Sequence, residues 1–240
     1  MAPPSHAASA PLPAAPVAPR GMDALLAVAL LACVAACVRA LWFTPVDAML
    51  GAAQKIFYVH VPAAILGLYV SCGLLAVASL MYLWIKDARL DRLAEATAEL
   101  GVVFMGMVLA TGPIWARTSW GTWWVWEARI TSTLFLWMLV LGYLVLRGAV
   151  ESPEQRARLS AVMGSLAALL VPFVHLTVKL FRGMHPQPVV LKPEKPSLPP
   201  EMLTTFLLAL GAFSLLYVAL LRLRLRWAAV RDARLALEGA

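Results

Sequence analysis

Charged side chains are scarce in this chain of 240 residues. Asp, Glu, Lys and Arg together make up 14% of it, whereas hydrophobic residues make up 62%, and the mean hydropathy is +0.79. So few polar groups cannot cover the surface of a soluble globule of this size, which excludes an ordinary soluble domain. The composition indicates an integral membrane protein.

Cysteine is scarce as well. Cys33, Cys37 and Cys72 form neither a CxxC pair nor the CxxCH motif of covalent haem attachment. All three fall in apolar stretches, so we interpret them as small packing residues. The sequence also lacks the GxxxxGK[ST] phosphate-binding loop, so any ATP hydrolysis must belong to a partner protein.

What the chain has in abundance is long apolar stretches, six of which approach or exceed the roughly 20 residues needed to cross about 30 Å of hydrocarbon. Short connections join them, so the sequence predicts an all-α integral membrane protein with six transmembrane helices in one bundle at residues 22–221. The predicted spans are residues 22–42, 57–84, 94–114, 130–147, 158–178 and 201–221.

The two ends of the chain differ from this bundle in composition. Residues 1–21 are rich in Ala, Pro and Ser and are predicted to be a disordered cytoplasmic tail. A cleaved signal peptide is the alternative, but the first apolar stretch is long enough to span, so we interpret it as a retained helix. Residues 222–240 are predicted to be a basic cytoplasmic tail that binds anionic lipid.

The distribution of positive charge predicts the orientation. With the N-terminus in the cytoplasm, twelve of the 20 Lys and Arg residues lie inside and eight outside. This positive-inside bias places both termini in the cytoplasm. Charge dispersed over the loops in this way also argues against nucleic acid as the partner, although the net charge is +7.

Tryptophan is concentrated in one segment, residues 115–129, which reads WARTSWGTWWVWEAR. If it is helical, Trp120, Trp123, Trp124 and Glu127 share one face, since they are spaced i, i+3, i+4, i+7. An interfacial aromatic belt is the alternative, but a belt scatters its residues around the protein. The cluster predicts a platform for a planar apolar ligand. Its five tryptophans are Trp115, Trp120, Trp123, Trp124 and Trp126.

Two histidines fall on the same predicted face of the membrane as this segment. His60 opens the second span in FYVHVPAA, and His185 lies in a Pro-containing loop, GMHPQP. Two imidazoles from separate elements are what a six-coordinate haem iron requires. His175, in the apolar run LLVPFVHLTV, is either a ligand or a hydrogen-bonding group across the bundle, and we favour the structural role.

The segment WGTWWVWEARIT resembles the tryptophan-rich WWD domain of haem-handling proteins in cytochrome c maturation. Six spans with one such segment between spans three and four look like the family of cytochrome c maturation protein C, or haem exporter protein C. The resemblance implies His60 and His185 as axial iron ligands, the five tryptophans as the platform and Arg129 as the basic residue closing it. Glu127 stands where the family motif has Asp.

The loop before the second span also differs from the family pattern of Asp, Gln and Arg. The sequence keeps Asp47 but has Leu50 and Lys55 at the other two positions. Lys keeps the charge of Arg and loses its bidentate fork. Basic residues of the outer loops are expected to meet the haem propionates. These residues are Lys55, Arg117, Arg129, Lys179 and Arg182.

The expected function is therefore non-catalytic. By resemblance, the protein holds haem b at the outer face of the bacterial cytoplasmic membrane and presents it to a periplasmic haem chaperone. The implied partners are the ATPase and membrane subunits of an ABC transporter and a small single-span protein. The rival interpretation is a b-type bis-histidine membrane cytochrome, and a small-solute permease is a third.

Overall fold

The computed structural model describes residues 23–181, 183–185, 189–190, 192 and 195–238, so the predicted tail at residues 1–21 and Arg182 lie outside the described residues. The described chain is built of helices. They are α1 (Ala24–Val38), α2 (Phe57–Ala64), α3 (Cys72–Ile85), α4 (Ala88–Trp120), α5 (Ala128–Ala149), α6 (Pro153–Ser165), α7 (Ala167–Leu180) and α8 (Pro200–Glu238). Shorter π-helical or 3-10 segments, Arg39–Phe43, Ala52–Ile56 and Ile65–Ser71, extend or join them.

Among the described residues, six helical stretches are long and apolar enough to cross a bilayer, which confirms the predicted all-α membrane fold. We number them spans 1 to 6. They cover Ala24–Phe43, Ala52–Ile85, Ala88–Trp120, Ala128–Ala149, Pro153–Leu180 and Pro200–Leu237. Spans 1, 3 and 5 all finish at one end of the bundle. We call this end the site end.

The core contains large apolar side chains as well as small ones. Leu75, Met105 and Leu136 are at most 1% exposed in the cluster joining spans 2 to 5. At Gly67 the helices are so close that an added Cβ would lie 2.9 Å from the backbone nitrogen of Met105, the close approach that small residues permit in membranes. Other large apolar side chains, such as those of Trp84 and Leu169, point outward, as bilayer contact allows.

The opposite end of the bundle is held by ion pairs. The two Nη atoms of Arg147 donate to the two carboxylate oxygens of Asp91 at 2.6 and 2.9 Å. Its Nη2 also donates to Oε2 of Glu95 at 3.2 Å. Glu95 is shared with Arg231 of α8, at 2.7 and 2.8 Å. Because a bidentate Arg–carboxylate pair adds directional bonds to the charge attraction, the network joins spans 3, 4 and 6.

The sixth helix continues well beyond residue 221, where we predicted the span to end. It remains one helix to Glu238. Its arginines pair with carboxylates of this same chain: Arg224 with Glu99, and both Arg222 and Arg226 with Asp23 at 3.1 Å. Sequence periodicity could not reveal these partners, since they lie on other helices.

Candidate functional site: paired histidines at the site end

The tryptophan segment is not one helix, so the predicted shared face of Trp120, Trp123, Trp124 and Glu127 was wrong. Helix α4 ends at Trp120, because Gly121 adopts φ +76° and closes the helix with its N–H on the carbonyl of Arg117. Residues 121–127 are non-helical, and α5 begins only at Ala128.

The five indoles consequently lie on two different kinds of backbone. Trp115 and Trp120 belong to the last turns of α4, whereas the other three lie in the non-helical segment. Trp124 is half-buried and packs edge-on against Trp126, with ring centroids 5.5 Å apart. Trp123 and Trp126 are 59% and 75% exposed, so this segment offers uncovered aromatic surface at the site end.

His60 is buried in α2 and held by two contacts from α4. Its Nδ1 lies 2.9 Å from the hydroxyl of Thr111, and its ring meets that of Trp115 at 5.6 Å. The Thr111 hydroxyl donates its one proton to the carbonyl of Met107 at 2.7 Å. It must then accept from His60, so Nδ1 carries a proton, and in the neutral ring Nε2 keeps its lone pair.

His185 is held by the carboxylate of Glu127. One oxygen, Oε2, accepts from the backbone N–H groups of Met184 at 2.8 Å and of His185 at 3.2 Å. The other oxygen, Oε1, lies 3.6 Å from Nδ1 of His185. Trp120 flanks the imidazole with ring centroids 6.2 Å apart. The structure thus joins the tryptophan segment to the loop after span 5.

The imidazole of His185 is kept neutral. Burial, together with the positive charge of Arg129 and the proximity of His60, lowers its pKa to about 3. Protonation and iron ligation compete for the same ring nitrogens, so a low pKa leaves the base available near neutral pH.

Arg129 lies beside His185, on the first turn of α5. Both residues line one cleft, and the positive charge of the guanidinium helps to lower the pKa of the His185 imidazole. Its Nη1 is buried and has no hydrogen-bond partner within the described residues. Nε1 of Trp124 is likewise buried without a hydrogen-bond partner among the described residues. Buried donors without acceptors are costly, and an anionic ligand would supply what they lack.

A cleft of about 560 Å³ opens between the tryptophan segment, the start of α5, the end of α7 and the His185 loop. This volume is typical of a site for a small organic ligand. Its lining contains charged side chains as well as apolar ones. The lining residues are Val125, Trp126, Glu127, Ala128, Arg129, Thr177, Val178, Phe181, Gly183, Met184 and His185.

Lys55 and Asp47 are engaged elsewhere. The ammonium of Lys55 donates to the carbonyls of Ala40, Leu41 and Thr44 at 2.6 to 3.1 Å, so its three protons are used to cap span 1. Asp47 shapes the loop, since its Oδ1 accepts from the backbone N–H groups of Met49 and Leu50 at 2.8 Å. Neither contact directs these side chains toward the paired histidines.

The other basic residues expected to meet propionates differ in their surroundings. Arg117 donates to the carbonyl of Gly121 and so caps α4. Lys179 is exposed, on the last turn of α7. His175 has the hydrogen-bonding contact that we favoured, because its Nδ1 lies 3.0 Å from the hydroxyl of Tyr69 across the bundle.

Sequence reasoning overlooked two residues of this site. Thr111 lies one turn before Trp115 on α4, and its hydroxyl within an apolar span could have been noticed. Gly183 packs directly on the Glu127 carboxylate, with which an added Cβ would collide. A glycine two residues before a candidate ligand was the signal, but its neighbour in space was not visible in the sequence.

The fold and these contacts define a multi-pass membrane protein in which two histidines pack on the tryptophan-rich end of α4, at one end of a six-span bundle. The chain belongs to the heme exporter protein C (CcmC) family, whose model matches residues 5–238. The predicted family is thereby confirmed.

Curated relatives agree with this assignment. The heme exporter protein C of Haemophilus influenzae is 35% identical over 197 residues, covering 81% of this chain and 79% of the relative. That of Bradyrhizobium diazoefficiens is 36% identical over 73% of this chain and 66% of the relative. That of Rhodobacter capsulatus is 36% identical over 77% and 76%, respectively.

Proposed function

We propose that this protein is a non-catalytic haem-handling component of cytochrome c maturation, which holds haem at the site end of its bundle and passes it on whole. The observation that carries the proposal is that His60 packs on Trp115 and His185 packs on Trp120, both at the same end of α4, with Arg129 beside His185 in one cleft. Relatives named heme exporter protein C support the same function.

The residues present fit haem b as cargo. Two neutral imidazoles supply the nitrogen ligands that haem iron accepts. A buried guanidinium with an unused donor suits a propionate, since such charge-assisted bonds are the strong ones. Covering one indole of roughly 200 Å² contributes up to about 5 kcal/mol at 25 cal/mol/Å², so a few tryptophans suffice to hold a macrocycle.

The location of the site supports transfer rather than retention. His60 lies in a helix, but His185 lies in a loop outside the spans, and two of the indoles remain largely exposed. A b-type cytochrome keeps its haem between histidines of facing helices and shields it. A ligand on a loop beside open aromatic surface can instead be withdrawn when the haem leaves.

The surroundings that we propose follow from charge and from the family. The site end faces the periplasm and both termini face the cytoplasm of a bacterial inner membrane, in keeping with the positive-inside bias. The recipient is a periplasmic haem chaperone. The ATPase and membrane subunits of an ABC transporter and a small single-span protein complete the complex, and lipid headgroups surround the basic turns.

The direct test is haem binding followed by transfer. The purified protein in detergent is supplied with haem, and the Soret band is recorded before and after the haem-free chaperone is added and separated by gel filtration. We expect a six-coordinate spectrum that moves to the chaperone fraction. Absence of a Soret band would refute haem handling, and reversible redox cycling without transfer would favour the cytochrome.

Thr111 offers a test of how His60 is oriented. In Thr111→Val the acceptor for Nδ1 is lost, so the ring is free to turn and haem affinity is expected to fall roughly 10- to 100-fold, the usual cost of losing such a supporting bond. Thr111→Ser keeps the hydroxyl and should bind as the parent does. The measurement is haem titration by absorbance.

The matched control for Thr111 is Thr118→Val. Thr118 lies on the same helix and also bonds back to its own backbone, at 2.9 Å from the carbonyl of Trp115, but it is exposed. Equal losses of affinity in the valine variants at positions 111 and 118 would contradict the orienting role and indicate a general effect on α4.

A further inference from the structure

The loop between spans 5 and 6 carries His185 outside any helix, so helix geometry cannot hold its imidazole. Farther along this loop, Val189, Val190 and Leu198 pack on the cluster shared by spans 1, 2 and 6. The N–H of Ser197 also donates to the carbonyl of Val189 at 3.0 Å. These contacts anchor the part of the loop nearest span 6, and His185 needs a separate anchor.

Glu127 supplies an anchor at the histidine itself. Its Oε2 accepts from two consecutive peptide N–H groups, those of Met184 and His185. The Glu127 side chain is only 8% exposed, so these bonds to a charged acceptor are shielded from water and stronger than bonds between neutral groups. Two bonds to adjacent peptide groups restrain the backbone at the residue that bears the imidazole.

The second oxygen of Glu127 faces the ring. Oε1 and the Nδ1 of His185 are 3.6 Å apart, which is longer than a hydrogen bond, and both are buried without a hydrogen-bond partner among the described residues. Glu127 therefore does not hold the ring itself, and its restraint acts on the loop backbone through Oε2.

Gly183 completes the arrangement. A Cβ at this position would collide with Oε2 of Glu127, the oxygen that accepts both peptide bonds. Any other residue must push the carboxylate away or shift the loop.

We propose that Glu127 is the positioning residue for His185, acting as a hydrogen-bond acceptor for the loop backbone, and that Gly183 provides the space for its carboxylate. This inference rests on the proposed function, in which His185 ligates haem iron. The role requires an acceptor oxygen at this distance more than it requires a negative charge.

The test compares Glu127→Ala with Glu127→Gln. Haem is added to each purified protein, and the affinity and the six-coordinate low-spin fraction are read from the absorbance spectrum. We expect Glu127→Ala to bind haem at least about 10-fold more weakly, since two charge-assisted bonds are lost, with His60 as its remaining protein ligand. Added imidazole should restore the six-coordinate spectrum. Glu127→Gln keeps an acceptor oxygen and should retain most of that fraction.

A second pair of variants leaves Glu127 intact. Gly183→Ala should lose the six-coordinate fraction as Glu127→Ala does, because its new methyl group displaces the carboxylate. Gly211→Ala is the matched control, since nothing lies within 4 Å of the added Cβ there. Glu201→Ala, which removes an exposed carboxylate on the first turn of α8, controls for the loss of charge. If Glu127→Ala does not fold, the glycine pair decides the question.

The outcomes separate the two proposals. A parent protein without a Soret band would overturn the proposed function and this inference with it. A parent with the band, beside Glu127→Ala and Gly183→Ala variants of unchanged spectrum, would overturn the positioning role alone. Equal failure of Glu127→Gln and Glu127→Ala would also overturn it, since the charge and not the acceptor would then be what matters.

Discussion

Replacing His60 or His185 with alanine is expected to lower haem affinity more than about 100-fold and to abolish the six-coordinate spectrum, because losing a ligand costs more than losing its supporting bond. His60 is buried, and its Nδ1 is occupied by Thr111, so the ring has one nitrogen to offer. His185 is held in the neutral form required for ligation. The measurement is absorbance titration of each purified variant with haem.

The comparison variant for the two ligands is His175→Ala. The structure gives this histidine a partner across the bundle, the hydroxyl of Tyr69. We therefore expect His175→Ala to keep the six-coordinate spectrum, and external imidazole to restore it in His60→Ala and His185→Ala. Loss of the spectrum in His175→Ala alone would show that the ligands have been assigned to the wrong residues.

Replacing Arg129 with methionine is expected to have the next largest effect. One nitrogen of the guanidinium is buried without a hydrogen-bond partner among the described residues, and Arg129 lines the same cleft as His185. A hydrogen bond to a charged group contributes about 1.5 to 3 kcal/mol, so haem affinity should fall roughly 10- to 100-fold. The spectrum of the haem that still binds should remain six-coordinate, since neither ligand is changed.

Lys55→Met tests whether Lys55 binds a haem propionate, as proposed for Arg129, or has a structural role. All three ammonium protons of Lys55 are used on the carbonyls that end span 1. We expect haem affinity per folded protein to stay unchanged, while thermal stability in detergent decreases. An affinity loss in Lys55→Met as large as that in Arg129→Met would contradict this division and return Lys55 to the haem site.

The tryptophan segment shows which features of a site residue spacing can predict and which it cannot. Its composition predicted an aromatic platform, and the helical spacing of Trp120, Trp123, Trp124 and Glu127 predicted a shared face. The face does not exist, because Gly121 ends α4 in the left-handed conformation. Periodicity reports which residues would align if a helix continued, and a single glycine decides whether it does.

Glu127 and Lys55 illustrate the same limit for charged residues. Both depart from the family motif, and both were expected to take part in the haem site, but the sequence did not show which groups they contact. Glu127 bonds to a loop more than fifty residues away, and Lys55 caps the preceding span. A charged side chain bonds to the groups that helix packing brings close to it, and the neighbouring sequence does not show which groups these are.

The sequence by itself determined the six-span membrane fold, the family and the candidate histidines and tryptophans of the site. The length of an apolar segment determines whether it can span the bilayer, and a long motif rich in tryptophan seldom arises by chance. Only the tertiary structure decided that Thr111 bonds to His60, that Glu127 meets the loop of His185 at Gly183, and that the basic end of α8 pairs with carboxylates of its own chain. Those contacts are short-range and join residues distant in sequence, so they exist only once the helices have packed.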